Sequence, residues 1–473
     1  MIAPARIAAY EILRAVSAGN ADLPTAIAFA RVGLRDDRDR ALAAEIASGV
    51  QRWRAALDYV IVEFSKRAIS RLDPEIVEIL RLSAYQLLYL TRVPASAVVD
   101  DAVNLAGRAG KRSAAGFVNA VLRTISRRRD SLPLPPRPAD PNDRAAALDY
   151  FSITLSHPRW LAARWYDRLG FDTAEAWEQF NNTPGPVTLR ANRLRMTPEA
   201  LVERLATGDV RVHPAAFAPD GFIVSEGYPL RGPGLDEGWF VVQDEASQLV
   251  ALLAGEHPPQ RLLDTCASPG GKTSALAAAM EGRGLLVASD LRDRRVNLLR
   301  RTVAATGAAN VRIVQADLLK PLPFGSPFDC VLIDAPCSGL GTLRRDPDIR
   351  WRRGEADLAS LAARELTMLR HAAEMVAEGG RLIYATCSSE PEENEGIVDA
   401  FLAEAPEFTP VHAGRTHPKL VDTLIDRRGH LRTQPHLHGL EAFFGAVFER
   451  RTKDQGRTKD QGRRAKAELV VRS

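Results

Sequence analysis

The chain has 473 residues, 45% apolar and 26% charged, a composition that fits a soluble globular protein and argues against a disordered or fibrous one. No run approaches the ~20 apolar residues that span a bilayer, so no membrane partner is expected. Its four cysteines, Cys266, Cys330, Cys337 and Cys387, include no CxxC pair, which argues against a disulfide framework or a zinc knuckle.

The formal charge of +4 is unevenly spread. The last 23 residues hold eight Lys/Arg against three Asp/Glu, a net of +5, so the first 450 sum to −1. Affinity for a polyanion must therefore come from local basic patches. The opening MIAPARIAAYEILRAV lacks the apolar core and cleavage site of a secretory signal. With reduced thiols, it leads to the expectation of a cytoplasmic protein.

Residues 1–130 read as successive helices. "ARIAAYEILRAV" and "PEIVEILRLSAYQLLYL" both carry apolar residues near helical spacing. Lys111, Arg112, Arg123 and Arg127 to Arg129 form either a solvated basic helix end or an RNA-contacting face. "SLPLPPRPADPNDR", 131–144, holds five prolines in fourteen residues and reads as a linker. Residues 145–240 suggest a small α/β module: a helix in "HPRWLAARWYDRLG", a strand in "PVTLRANRLR", a capped helix in "TPEALVERLATG", then three short strands. Its Arg190, Arg193 and Arg195 fit a nucleic-acid surface or a solvated strand edge equally well.

Across 241–450, short apolar strands alternate with helices: "RLLDTC", "LLVASD", "VRIVQAD", "FDCVLIDAP" and "RLIYATCS". The long helix before the last of these is read as running to Gly379-Gly380. Near-continuous apolar strands separated by helices imply a doubly wound α/β sheet with both faces covered. Its ligands belong outside the carboxyl ends of the strands. The tail, 451–473, repeats RTKDQG twice and has a disordered composition.

"LLDTCASPGGKTSAL" finishes as a P-loop does, in Gly271-Lys272-Thr273. Yet Cys266 stands where the first P-loop glycine is needed, and Pro269 removes an amide donor. What remains is a tight strand-to-helix turn with glycines that let a ligand approach the backbone. The next strand ends in Asp290, at the distance where an acid grips ribose hydroxyls in nucleoside-binding folds. Asp317 and Asp334 follow at the ends of two further strands. Three successive strand-end acids with no phosphate cradle fit S-adenosylmethionine.

Cys337, in "DAPCSG", and Cys387, in "YATCSS", both fall just beyond strands, on the same edge as the cofactor turn. Two thiols beside a methyl donor point to methylation of a pyrimidine carbon. Cytosine C5 becomes nucleophilic only after a thiolate has added at C6. One cysteine would add, the second would assist release, and Asp334 could hydrogen-bond the N3/N4 edge. The base must be flipped out or unpaired. Spacing alone does not say which cysteine attacks.

Together "DTCASPGGKT", "SDLRDRRV", "DAPCSGLGTLRRDPDIRW" and "ATCSSEPEENE" resemble the Nop2- and Sun-related RNA cytosine-C5 methyltransferases. Residues 1–130 resemble the NusB RNA-binding fold. The resemblance implies a multidomain protein: an all-α NusB-like domain (1–130), the linker (131–144), a small α/β connecting domain (145–240), a Rossmann-like methyltransferase domain (241–450) and the basic tail. This order is similar to that of family members acting on 16S ribosomal RNA. It implies that Cys387 is the nucleophile and Cys337 the helper. Cys266, Ala267, Ser268, Pro269, Gly270, Gly271 and Lys272, with Asp290, Asp317 and Asp334, would hold S-adenosylmethionine. Ser268 departs from the usual alanine of that loop. No metal and no obligate protein partner are implied. The rival readings are a transfer RNA cytosine methyltransferase and an RNA-binding factor whose enzyme domain has lost activity.

Overall fold

The computed structural model describes residues 2–256 and 260–452; the duplicated tail falls almost wholly outside them. The chain divides into two compact units. One comprises residues 1–184 with Thr342–Glu355, the other 185–341 with 356 onward.

The first unit is helical. Pro4–Ser17, Leu23–Gly33, Asp37–Arg52, Arg54–Ser65, Pro74–Tyr89, Ala95–Arg108 and Ala115–Arg127 follow one another. Their starts carry ordinary signals: proline in the first turn at Pro4, Pro24 and Pro74, and Asp22 accepting from the Thr25 amide. Leu13, Ile46, Leu57, Ile79, Leu105, Leu122 and Ile125 bury their stripes in one core. The basic helix end is partly committed internally. Lys111 pairs with Asp73 at 3.0 Å, while Arg67 and Arg128 lie over the Phe117 and Phe64 rings.

The stretch 131–144 is irregular, but Leu132 and Leu134 pack on the helical core and the Pro135 carbonyl accepts from the Thr154 hydroxyl. The helices Arg144–Asp149, Arg159–Leu169 and Phe171–Asn181 belong to this first unit. The boundary that composition suggests at 131–144 thus lies inside it.

Thr342–Glu355, sequence "TLRRDPDIRWRRGE", also belongs to the helical unit. Asp348 accepts from the Leu23 amide at 3.1 Å, and the Trp351 indole donates to the Gln51 carbonyl at 2.6 Å. Arg350 is fully buried. Its Nη1 donates to the Arg52 and Ser156 carbonyls and to the Asn182 side chain at 3.0–3.3 Å. Burial, the dominant influence, pulls its pKa down to about 9. Within the helical unit it replaces the solvent that those carbonyls would otherwise need.

The second unit holds two sheets. In the smaller, β1 (Thr188–Ala191), β2 (Arg211–Pro214), β3 (Gly221–Glu226) and β4 (Phe240–Val242) lie in the order β2-β3-β1-β4, all antiparallel. The helix Pro198–Ala206, capped by the Thr197 hydroxyl, belongs with it.

The larger sheet contains β5 (Arg261–Asp264), β6 (Leu285–Asp290), β7 (Val311–Gln315), β8 (Phe328–Asp334) and β9 (Val376–Thr386), paired in parallel as β9-β8-β5-β6-β7. β10 (Phe408–Val411), β11 (Leu431–Arg432) and β12 (Phe444–Arg450) complete it, with β12 antiparallel to both β9 and β10. The sheet is therefore mixed, where the strand pattern suggested only parallel pairing. β12 covers the edge of β9 that would otherwise be left open.

The long helix, Glu355–Glu374, stops before the expected Gly379-Gly380. Val376 already pairs with Phe328, and the Phe328 amide donates to the Met375 carbonyl at 2.7 Å, so sheet pairing claims these residues.

Arg350→Ala leaves buried carbonyls without donors. It is expected to destabilise the helical unit by about 3 kcal/mol, read as a lowered urea midpoint in a full-length unfolding curve.

Candidate active site

β5 ends at Asp264, and the chain turns through Cys266–Gly270 into the helix Gly271–Ala279. The Ser268–Pro269 bond is cis. Gly270 has φ +108°, and a Cβ there would lie 3.0 Å from Thr302, so both the turn and its packing call for glycine. Asp290, at the end of β6, accepts from the Ser268 amide at 3.2 Å and from Arg295 at 3.1 Å. Arg295 also donates to the Ser268 carbonyl at 2.7 Å, which ties the turn to that strand end. Asp317 stands two residues beyond β7 and accepts from the Leu319 amide of its own turn.

A cavity of about 480 Å³ opens beside the turn. Asp264, residues 266–269, Gly271, Lys272 and Asp334 line it, together with Leu235, Val242 and Leu298. Gly270, Asp290 and Asp317, also expected at the cofactor, are not among its lining residues.

Asp264 was not singled out in the sequence. It is fully buried, and its Oδ2 accepts from the Thr273 hydroxyl at 2.7 Å. Its Oδ1 has no partner among the described residues. Burial pushes its pKa up to about 7 against the opposing Thr273 hydrogen bond. A buried, half-satisfied acid on a cavity wall suits a ligand carrying positive charge.

The parallel register sets Asp334 opposite Ala385, so the loops after β8 and β9 leave the sheet side by side. The sulfurs of Cys337 and Cys387 lie 3.4 Å apart, and both residues are half-buried. The hydrogen bond to Cys387, and then burial, raise the Cys337 thiol well above its ordinary pKa.

Lys272 donates to Asp334 at 2.7 Å and to the Ser247 hydroxyl at 3.0 Å. Its burial opposes the charged form. The Asp334 charge and hydrogen bond, with Cys387 adding to them, outweigh that burial and raise its pKa. The Gly341 amide donates to the Cys387 carbonyl at 2.9 Å. A Cβ on Gly341 would lie 2.7 Å from that oxygen and 2.0 Å from the Ala442 carbonyl, so this close approach requires glycine. Cys330, in mid-strand, is a buried thiol pushed up to about 12 by burial. Cys266 is likewise raised by burial.

Arg190 fits neither of its expected roles. It is 4% exposed and braces the small sheet against the helix Gly271–Ala279, donating to Gln243 at 2.9 Å, the Gly271 carbonyl at 3.1 Å and Ser274 at 2.6 Å. Arg193 pairs with Asp220, and Arg195 donates to the Ala305 carbonyl.

A parallel α/β core with acids and thiols gathered at its carboxyl edge is the architecture of a Rossmann-like methyltransferase. The model of the 16S rRNA methyltransferase RsmB/F family matches residues 250–449, the NusB family model 3–127, and a RsmF/B-type ferredoxin-like domain 157–231. The chain is 35% identical over 435 residues to ribosomal RNA small subunit methyltransferase B of Pseudomonas putida, covering 90% of this chain and 96% of that protein. It is 33% identical over 382 residues to the protein of the same name from Salmonella arizonae, covering 78% and 83%. The solved structure of PH0851 superposes with a TM-score of 0.77 at 25% identity, covering 95% of this chain and 99% of that one. The chain belongs to the RsmB/F family of ribosomal RNA methyltransferases.

Proposed function

We propose that this chain methylates C5 of a cytosine in 16S ribosomal RNA through a transient bond between Cys387 and C6. The observation that carries this reading is the 3.4 Å contact between the Cys337 and Cys387 sulfurs at the ends of adjacent parallel strands. An amine-methylating enzyme needs no thiol, whereas carbon methylation of a pyrimidine needs a nucleophile and a clean release.

Residues 266–269, Gly271, Lys272 and Asp334, which line the cavity, would hold S-adenosylmethionine, with Gly270, Asp290 and Asp317 expected beside them, and the Asp264 oxygen unpartnered among the described residues fits a cationic ligand. When bound, that cofactor supplies an electrophilic methyl group. Asp334, charge-paired with Lys272, would hydrogen-bond the N3/N4 edge of an unpaired cytosine. After giving its proton to solvent, the Cys387 sulfur forms a bond to C6, and the electron pair of the C5=C6 double bond moves toward C5. After C5 gains its methyl group, a base takes the C5 proton. The C5–H electron pair then re-forms the C5=C6 double bond as the bond to Cys387 breaks. Cys337, at 3.4 Å, would stabilise the departing Cys387 sulfur by a hydrogen bond.

Cys387→Ser is expected to lower methyl transfer to 16S rRNA by about four orders of magnitude. Cys337→Ala should instead accumulate a protein–RNA adduct that survives denaturing gels. Bisulfite maps of total RNA, with and without the protein, test the substrate. A lost mark in transfer RNA, with 16S rRNA unchanged, would overturn the ribosomal assignment.

A second expectation concerns pH. Asp264 holds its proton up to about pH 7, with Lys272 favouring its charged form and Asp334 and Asp290 opposing it. A bound cation favours the charged form too, so affinity for S-adenosylmethionine should strengthen as pH rises through that value. A gain of about tenfold between roughly pH 6 and pH 8 is expected by calorimetry, and Asp264→Asn should flatten it.

A further inference from the structure

Behind the two cysteines lies a buried polar cluster that the chemistry above does not use. Glu393 is fully buried, and Ser338 and Ser388 are 1% and 2% exposed. The Glu393 carboxyl group accepts from the Ser338 amide at 2.6 Å, from the Ser338 hydroxyl at 2.5 Å, and from the Ser388 hydroxyl. The two hydroxyls themselves are 3.3 Å apart.

Ser338 directly follows Cys337, and Ser388 directly follows Cys387. One carboxyl group therefore grips the residue next to each sulfur. Neighbouring side chains brace the backbone around it. Asn394 accepts from the Thr386 hydroxyl at 2.6 Å and donates to the Ser388 carbonyl at 3.0 Å. The Tyr384 hydroxyl lies 2.6 Å from the Glu393 carbonyl oxygen and 2.8 Å from the Glu365 carboxyl. Burial, and then the nearby Cys337, push Glu365 up to about 10, so it presents a proton to this cluster.

A carboxyl group that served stability alone could take its donors from anywhere in the core. Here three donors come from the two residues adjoining the sulfurs, and Glu365 is a further side-chain partner. We propose that Glu393 is a positioning residue that holds the Cys337 and Cys387 loops in sulfur–sulfur contact. This deepens the methylation reading and rests on it. Loss of the grip lets the loops part, and Cys337 then no longer reaches the Cys387 sulfur when that sulfur must leave C6. Release suffers more than addition.

The test uses the full-length protein and two separate readouts. The first needs no RNA. Diamide removes one proton and one electron from each thiol, its N=N bond is reduced to a hydrazine, and an S–S bond forms between Cys337 and Cys387, followed by mass spectrometry. Glu393→Ala should slow this crosslink by about 100-fold, the effect of a misplacement near 1 Å. Glu393→Gln, which keeps an acceptor oxygen, should recover part of the rate. An unchanged crosslinking rate in Glu393→Ala would overturn the proposal.

The second readout is RNA methylation. Glu393→Ala should lower kcat with KM for RNA nearly unchanged and raise the fraction of enzyme trapped as RNA adduct. Affinity for S-adenosylmethionine should stay as in the wild type. Equal loss of cofactor affinity and of both kinetic constants would mark a purely structural role and overturn the proposal. Should Glu393→Ala fail to fold, Ser388→Ala removes one of the three donors and should slow the crosslink in the same direction; an unchanged rate there also overturns it. If the wild type methylates no RNA yet Glu393→Ala slows the crosslink, the methylation reading fails and the positioning role stands.

Discussion

The site depends on the parallel pairing of β8 and β9. That register places Asp334 opposite Ala385, so two loops fifty residues apart in the chain leave the sheet from neighbouring positions. Cys337 comes three residues beyond one partner and Cys387 two beyond the other, and their sulfurs meet at 3.4 Å. A slip of one residue would turn the side chains of one strand to the other face of the sheet and part the thiols. The antiparallel β12 protects this register. It pairs along β9 from Arg381 to Thr386, which leaves β9 fixed on both edges.

Charge is distributed along the same edge with little waste. Lys272 pairs with Asp334 and is close enough to Cys387 to feel its charge. The hydrogen bond to Cys387 and burial raise the Cys337 thiol above its ordinary pKa. Asp264 adds a buried acid on a cavity wall, with one oxygen unpartnered among the described residues.

The boundary between helical and catalytic parts does not follow the chain. Thr342–Glu355 comes soon after the Cys337 loop, yet it folds with the helices through Asp348, Arg350 and Trp351. Local composition gives no hint of this, because "RRDPDIRW" reads as a polar loop. Only the carbonyls of Arg52 and Ser156, remote in the chain, explain why an arginine is buried there. Arg190 makes the same point: a strand arginine looks solvent-directed until Gln243, Gly271 and Ser274 surround it. The helix read as ending at Gly379-Gly380 stops early for a related reason, since pairing with Phe328 outweighs helical periodicity at Val376.

The sequence by itself determined the helical and α/β character of the chain, the strands that end in Asp264, Asp290 and Asp334, and the position of both thiols at strand ends. These rest on periodicity and on residue type at a strand terminus, which are local properties. The tertiary structure alone decided that the sulfurs touch, that Asp264 lines a cavity, and that Glu393 bonds the residue after each cysteine. Proton affinity and proximity depend on burial and on partners tens to hundreds of residues away, which no short stretch of sequence contains.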